Sequence, residues 1–403
     1  MQRSVSKNDA RPTGTALSTL SLAYFMLGTS TLSVVALSTP ISHDLHVTGA
    51  QTGLLVTAFS LTFAVSALLS PLLVGHWPRK WLLLGGIALL VVGLLLGAAA
   101  PSFPLLLLTR IIAGIGGALL GPVLSATASM LVPPQQQQQA LSRVFSGFTL
   151  SSVLGIPFTS VIGPLLGWRG TLLLLSVLLV VTAILIWKLV PHIAGGNRVT
   201  PATYQRVSRT PGLFPALGTT LLQIGGVFVL YAVIGSYLTQ RFDSSPTWIS
   251  ATFLAFGIAG VLGNALVGTL NARLGNNRML LLGLAGGAFA ILTLLLDPAV
   301  PLAGLLSFMV LSFFAQMFQT PQQERMIRLN PAERNLMLGF NSATVYLGIS
   351  LGSGLGSQLL ATLGSQWLAA PALLMMLGGL LLTMTVVRAN RNRAAAVDAA
   401  ATD

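Results

Sequence analysis

The chain has 403 residues, of which 54% are hydrophobic and 7% charged, and a mean hydropathy of +0.83. That apolar fraction excludes a soluble domain, and the absence of cysteine excludes disulfides, thiol catalysis and Cys-ligated metal. A net charge of +13 would point to nucleic acid in a soluble protein, but here the charge is sorted by membrane side and nucleic acid is excluded as a partner.

The first 14 residues form a polar, basic tail. A spanning helix needs about 20 apolar residues. The runs 15–39, 50–74, 80–100, 104–132, 142–166, 170–190, 212–239, 247–271, 278–297, 300–328, 335–361 and 367–388 each qualify. The first run is too long for a signal-peptide core and lacks a clear cleavage site, so it reads as an uncleaved helix. With the N-terminus inside, Arg169 and Arg241 fall outside and Arg110 falls within a span. Every other Lys and Arg then lies in a cytoplasmic segment. The positive-inside rule and an even number of spans place both termini in the cytoplasm. The polar stretch 191–211 is a linker between six-helix bundles at 15–190 and 212–388. Gln135 to Gln139 read as a solvated turn, and the tail 389–403 is expected to be disordered.

The Pro71–Lys80 loop has a counterpart in Gly268–Arg278, and Pro133 has one in Pro331, each about 200 residues later. A membrane unit encoded twice predicts two bundles that rock about a shared midplane site, which is alternating access. Glycines inside the spans, such as Gly114, Gly116 and Gly117 or Gly348, Gly352 and Gly356, permit close helix approach where lipid supplies no hydrophobic drive.

Arg110 stands about two turns inside the fourth span. A charge there costs at least ~2.5–3.5 kcal/mol, which marks it as a functional candidate. A guanidinium stays protonated, so Arg110 is a fixed charge or a hydrogen-bonding fork. Two readings stay open: a coupling or solute-binding role, and snorkelling to the outer interface. None of the eight acids falls at a predicted midplane, and the four histidines lie in predicted loops. Proton coupling needs a group that titrates near working pH. The coupling candidates are therefore Asp44, at the outer end of the first span and placed to pair with Arg110, and Glu324, near the inner end of the tenth. A solvated loop acid is the plain alternative for Asp44. No acid pair, nucleophile–base set or P-loop is present, so the chain reads as no enzyme, without cofactor or metal.

These residues resemble the major facilitator superfamily, and within it the twelve-span drug:proton antiporter group, in its bacterial sugar- and drug-efflux branch of arabinose-efflux-permease type. The family loop pattern G-x-x-x-D-R-x-G-R-K is matched at Pro71–Lys80 by Arg79 and Lys80, with Gly75 at the acidic position. The second copy keeps Gly268, Arg273 and Gly275, again without the acid. In the family this loop latches the cytoplasmic side; positive-inside topology alone also accounts for the basic pair. Arg110-Ile-Ile-Ala-Gly114-Ile-Gly116-Gly117 resembles the family's R-x-x-x-G-x-G-G. Gly155, Pro157 and the Gly167-Trp168-Arg169 triplet resemble the antiporter signature of the fifth span. In the first span the family commonly carries an acid where this chain has Thr31.

The resemblance implies an all-α membrane protein of the major facilitator fold, with 12 transmembrane helices in two six-helix halves and inverted repeats inside each half. It places the cavity among spans that offer Tyr24, Thr31, Phe59, Phe63, Gln223, Tyr231, Phe256, Gln316, Gln319, Asn341 and Tyr346. Interhelical hydrogen bonds are the alternative use of each polar member. As a set they describe an uncharged pocket with amide and phenol groups. The implied protein is a monomeric exporter in a bacterial inner membrane. It moves a small neutral or amphiphilic organic solute, a drug, sugar or nucleoside, with the proton as coupling ion. Its alternatives are uncoupled facilitation and an organic-anion transporter that uses Arg110.

Overall fold

The computed structural model describes residues 7–195, 199–296 and 299–400, with the backbone alone at 7–12, 134, 138, 152, 335 and 389–400. The acids Asp9, Asp297, Asp398 and Asp403 therefore lie outside the described side chains. All regular structure among the described residues is helical. The chain forms two compact units, Met1–Pro201 and Ala202–Asp403.

The first unit contains α1 (Lys7–Ala36), α2 (Ser38–Asp44), α3 (Gly49–Leu73), α4 (Arg79–Ala98), α5 (Phe103–Met130), α6 (Gln137–Leu150) and α7 (Ile156–Leu189). The second contains α8 (Pro201–Ser208), α9 (Leu213–Tyr231), α10 (Ile234–Phe242), α11 (Pro246–Leu274), α12 (Asn276–Leu296), α13 (Pro301–Leu329), α14 (Arg334–Thr362) and α15 (Ala369–Ala400). Ten segments among the described residues are long and apolar enough to cross a membrane. One of them, Gln139–Leu189, has 51 residues. At 1.5 Å per residue it would extend over about 77 Å, more than twice a hydrocarbon core of ~30 Å. It is two crossings joined at Gly167, whose φ of 70° and ψ of 163° break the helix. Only glycine adopts that backbone without strain. The 29-residue α14 is long enough for a further crossing, though it is not one of these ten.

Two predicted spans are broken. The run 15–39 splits at Leu37 into α1 and α2, and the run 212–239 splits at Ala232–Val233 into α9 and α10. Each unit thus ends its first long helix in a short second one. The predicted linker carries a helix of its own, α8. The backbone of α15 continues to Ala400, because its Ala-rich end has high helix propensity, whereas the sequence led us to expect coil.

Within each unit the helices pack in the same order. In the first, α3 and α4 flank α5, and α1 lies against α6 and α7. In the second, α11 and α12 flank α13, and α9 lies against α14 and α15. Glycines set the closest crossings. A Cβ on Gly114 would stand 2.7 Å from the Phe59 carbonyl oxygen and 2.9 Å from Thr62 Cβ, so α3 and α5 touch backbone to backbone. On α14, Gly348, Gly352 and Gly356 lie in turn against the backbone of Leu221, Gly225 and Val229 on α9. Such contacts replace the hydrophobic drive that lipid cannot supply.

Candidate functional site

In the first unit the apolar helices α1, α3 and α5 converge on one buried charge. The Arg110 side chain is sealed, with 3% of its surface exposed. Its Nη2 donates to the Thr31 carbonyl at 2.7 Å, Nη1 to the Ser30 carbonyl at 3.5 Å and Nε to the Leu55 carbonyl at 3.4 Å. The guanidinium also sits 4.7 Å from the centre of the Phe59 ring, and Phe63 lies beside that ring at 6.2 Å. Arg110 is therefore fixed by carbonyl dipoles and a π face. It does not reach toward the outer interface as snorkelling would require, because its guanidinium is buried against the backbone of α1 and α3 and the Phe59 ring. Thr31 takes part through its carbonyl, while its hydroxyl donates to the Leu27 carbonyl at 2.7 Å.

The pairing of Asp44 with Arg110 does not form. Asp44 instead accepts from Arg169 and, at 3.1 Å, from Trp168 Nε1. The break at Gly167 swings these two residues toward α2, and Arg169 also donates to the Ala100 carbonyl at 3.1 Å. The Arg169 guanidinium, then the Trp168 indole, hold the Asp44 carboxyl below its usual range. Asp44 is thus a charged strut at one end of the unit.

Tyr24 is half-buried, edge-on to Phe145 and Phe148 at 5.5 and 5.8 Å. Gly155 packs on Thr29, two residues before Pro157, where a π-helical turn over Ser151–Gly155 lets α1 approach. At the other end of the unit, Gly75 lies against the Pro71 carbonyl, the Arg79 amide donates to the Ile193 carbonyl at 3.0 Å, and Lys80 Nζ donates to the Trp187 carbonyl at 2.6 Å.

The second unit holds an uncharged cluster on α9, α13 and α14. Gln322 Nε2 donates to the Ala216 carbonyl at 2.7 Å and to Thr220 Oγ1 at 2.8 Å, and Thr220 donates to Asn341 Oδ1 at 3.0 Å. One turn along α9, Gln223 is fully buried, yet neither its amide oxygen nor its nitrogen has a partner. The Gln322 oxygen is likewise unmet. Each such group costs ~1–3 kcal/mol. Further along α9, Tyr231 stands 4.6 Å from Phe256 and near Phe228 and Phe253, an aromatic box with a phenol. Tyr346 is buried on α14. Gln316 packs on Gly260, and Gln319 is half-buried one turn on. The next residue in that i, i+3 series is Gln322, which like Thr220 is not among the solute-site candidates of the sequence; continuing the series finds it.

Glu324 accepts from Asn271 Nδ2 at 3.0 Å and pairs with Arg328. An acid on α13 therefore meets the last turns of α11, in which Gly268 and Arg273 are exposed and after which Gly275, at φ 79°, ends the helix. Among the described residues no group of three potential metal ligands occurs.

A family model described as Major Facilitator Superfamily matches residues 19–216 and 216–401. Similar proteins include the uncharacterized MFS-type transporter YfhI of Bacillus subtilis (strain 168), 28% identical over 90% of this chain and 92% of its own. A probable sugar efflux transporter of Helicobacter pylori (strain ATCC 700392 / 26695) is 30% identical over 63% of this chain and 65% of its own. The inner membrane transport protein YdhP of Escherichia coli (strain K12) is 26% identical over 92% of this chain and 95% of its own. Among solved structures, a mutant of the peptide transporter POT superposes with a TM-score of 0.74 over 96% of this chain and 99% of its own, at 14% identity.

Proposed function

From the premise that the chain belongs to the Major Facilitator Superfamily, and is a multi-pass membrane transporter rather than an enzyme, we propose that it exports a small neutral solute rich in hydroxyl groups, a sugar foremost, by alternating access. The observation that carries this reading is the Gln223 amide, buried with both ends unmet beside the Thr220–Gln322–Asn341 network. A buried amide with a free donor and a free acceptor matches a hydroxyl, which is both. A site built for such a partner rejects analogues that lack it. The Tyr231–Phe256 pair supplies the flat apolar surface against which a ring can lie. Nucleosides and uncharged drugs share part of this chemistry. The efflux names of the Helicobacter relatives support export and sugar. The expected setting is a bacterial inner membrane, as a monomer with both termini cytoplasmic.

Proton coupling, on this proposal, runs through Glu324. Asp44 is held ionised by Arg169 and does not titrate near neutral pH. Uncoupled facilitation is the second reading, and it draws on the fact that both acids are ion-paired. The organic-anion reading loses support from Arg110, whose fork is occupied by three carbonyls.

The test uses everted membrane vesicles with an acid-inside gradient reported by a pH-sensitive dye. Labelled pentoses, hexoses, disaccharides, nucleosides, uncharged antibiotics and organic anions are added in turn, with vesicles lacking the protein as control. Sugar entry with dissipation of the gradient supports sugar–proton exchange. Sugar entry with an unchanged gradient supports facilitation. Entry of antibiotics or anions, but no sugar or nucleoside, overturns the hydroxyl-recognition reading.

A further inference from the structure

One end of the first unit carries an exposed patch outside the solute site proposed above. Trp77, Trp81 and Trp187 are 50%, 53% and 54% exposed, and they are half of the six tryptophans in the chain. They gather where α4 begins and α7 ends, the termini of two membrane-crossing segments. Trp81 and Trp187 meet edge to face at 5.6 Å. Lys80 Nζ lies 5.3 Å from the centre of the Trp187 ring and donates to its carbonyl. That bond occupies one of three ammonium hydrogens and caps the C-terminus of α7. Lys188 is exposed one residue further on. The only acid among the described side chains of this unit is Asp44, beyond the far end of the 25-residue α3. The patch is therefore cationic, lies at the termini of two membrane-crossing segments and has no counter-charge beside it among the described side chains of its unit. Its indoles suit the headgroup level of a bilayer, and basic sites between helix ends at that level attract anionic headgroups.

We propose that Lys80, Lys188 and the three tryptophans form a binding site for the phosphodiester headgroup of an anionic phospholipid. The ammonium groups bind the phosphate oxygens, the exposed indoles pack on the glycerol and upper acyl chain, and an indole N–H supplies a further donor. The Trp187 ring holds the Lys80 ammonium at the interface and stops it from folding back into solvent.

Native mass spectrometry of the full chain, released from an equimolar mixture of phosphatidylglycerol and phosphatidylcholine with matched acyl chains, tests this site. The wild type should retain phosphatidylglycerol in preference, by about fivefold per lysine and about twentyfold or more for the pair. Glutamine keeps a neutral donor for the Trp187 carbonyl, so Lys80→Gln with Lys188→Gln should stay folded and lose most of that preference. Lys80→Arg with Lys188→Arg should keep it. Arg273→Gln, which removes a basic group from the other unit, should leave it unchanged. Excess glycerol phosphate should not displace the lipid, since the indoles hold the acyl end. An undiminished preference in the Lys-to-Gln pair overturns the site, as does equal retention of the two lipids by the wild type. Displacement by glycerol phosphate assigns the patch to a free phosphate and overturns the lipid reading.

Discussion

Arg110→Met removes the buried charge while keeping much of the side-chain volume. The bond to the Thr31 carbonyl, at 2.7 Å, is the only one of the three at full strength; the others are 3.4 and 3.5 Å. A short charge-assisted bond contributes ~1.5–3 kcal/mol, two long ones add roughly 1 kcal/mol together, and the contact with Phe59 adds ~2 kcal/mol. Against this stands the cost of burying a cation, several kcal/mol even after relaxation. The two sides nearly cancel. The three carbonyls also belong to helix backbones, so none of them is orphaned by methionine. Arg110→Met should therefore shift stability by no more than ~2 kcal/mol in either direction, or ~4–8 °C in melting temperature, while transport falls at least about tenfold. Arg110→Lys keeps the charge but reaches one carbonyl, so it should be the less stable variant, by ~2 kcal/mol. The assays are thermal unfolding in detergent and solute entry into everted vesicles. Transport near the wild-type rate in Arg110→Met would refute a functional role. A lysine variant more stable than the methionine variant would refute the balance of forces.

Gln223→Leu removes two unmet buried polar atoms and should raise stability by ~1–3 kcal/mol while abolishing saturable sugar entry; a less stable variant would reveal partners for this amide. Asp44 has a lowered folded pKa, so its contribution to stability is present above the unfolded value of about 4 and is lost as pH falls through the folded value. The melting-temperature gap between wild type and Asp44→Asn should stay constant from pH 7 to 5 and close below about pH 4, with pH-driven transport intact throughout. Gly114→Ala places a methyl 2.7 Å from a backbone oxygen and should cost ~1–3 kcal/mol, whereas Gly85→Ala, with nothing within 4 Å, should cost nothing measurable by the same unfolding scan. Glu324→Gln should stop sugar-dependent loss of the proton gradient and spare sugar exchange; an unchanged dye signal removes Glu324 from coupling.

Much of the helix layout was legible because a membrane imposes it. Backbone polar groups must be satisfied inside each segment, so apolar runs of the right length become helices whatever their neighbours do. The exceptions are local. Gly167 joins two crossings that hydropathy separates only by a charged residue, and the breaks at Leu37 and Val233 fall inside continuous apolar runs, where composition carries no signal. The candidate residues were less legible than the helices. Arg110 stands out by charge alone, but its partners are backbone carbonyls, which have no letter in a sequence. Gln322 is one of several glutamines on α13, and only packing against α9 separates it from Gln316 and Gln319.

The sequence by itself determined most of the membrane-crossing helices, the two-fold order of the segments and the intramembrane charge at Arg110, because each follows from counting apolar and charged residues along one dimension. The tertiary structure decided which groups meet: Asp44 with Arg169 rather than Arg110, Arg110 with three carbonyls and a ring, and Gln223 with nothing. Those outcomes depend on helix rotation and crossing distance, which glycine contacts set to within a few tenths of an ångström and which a hydropathy pattern does not encode.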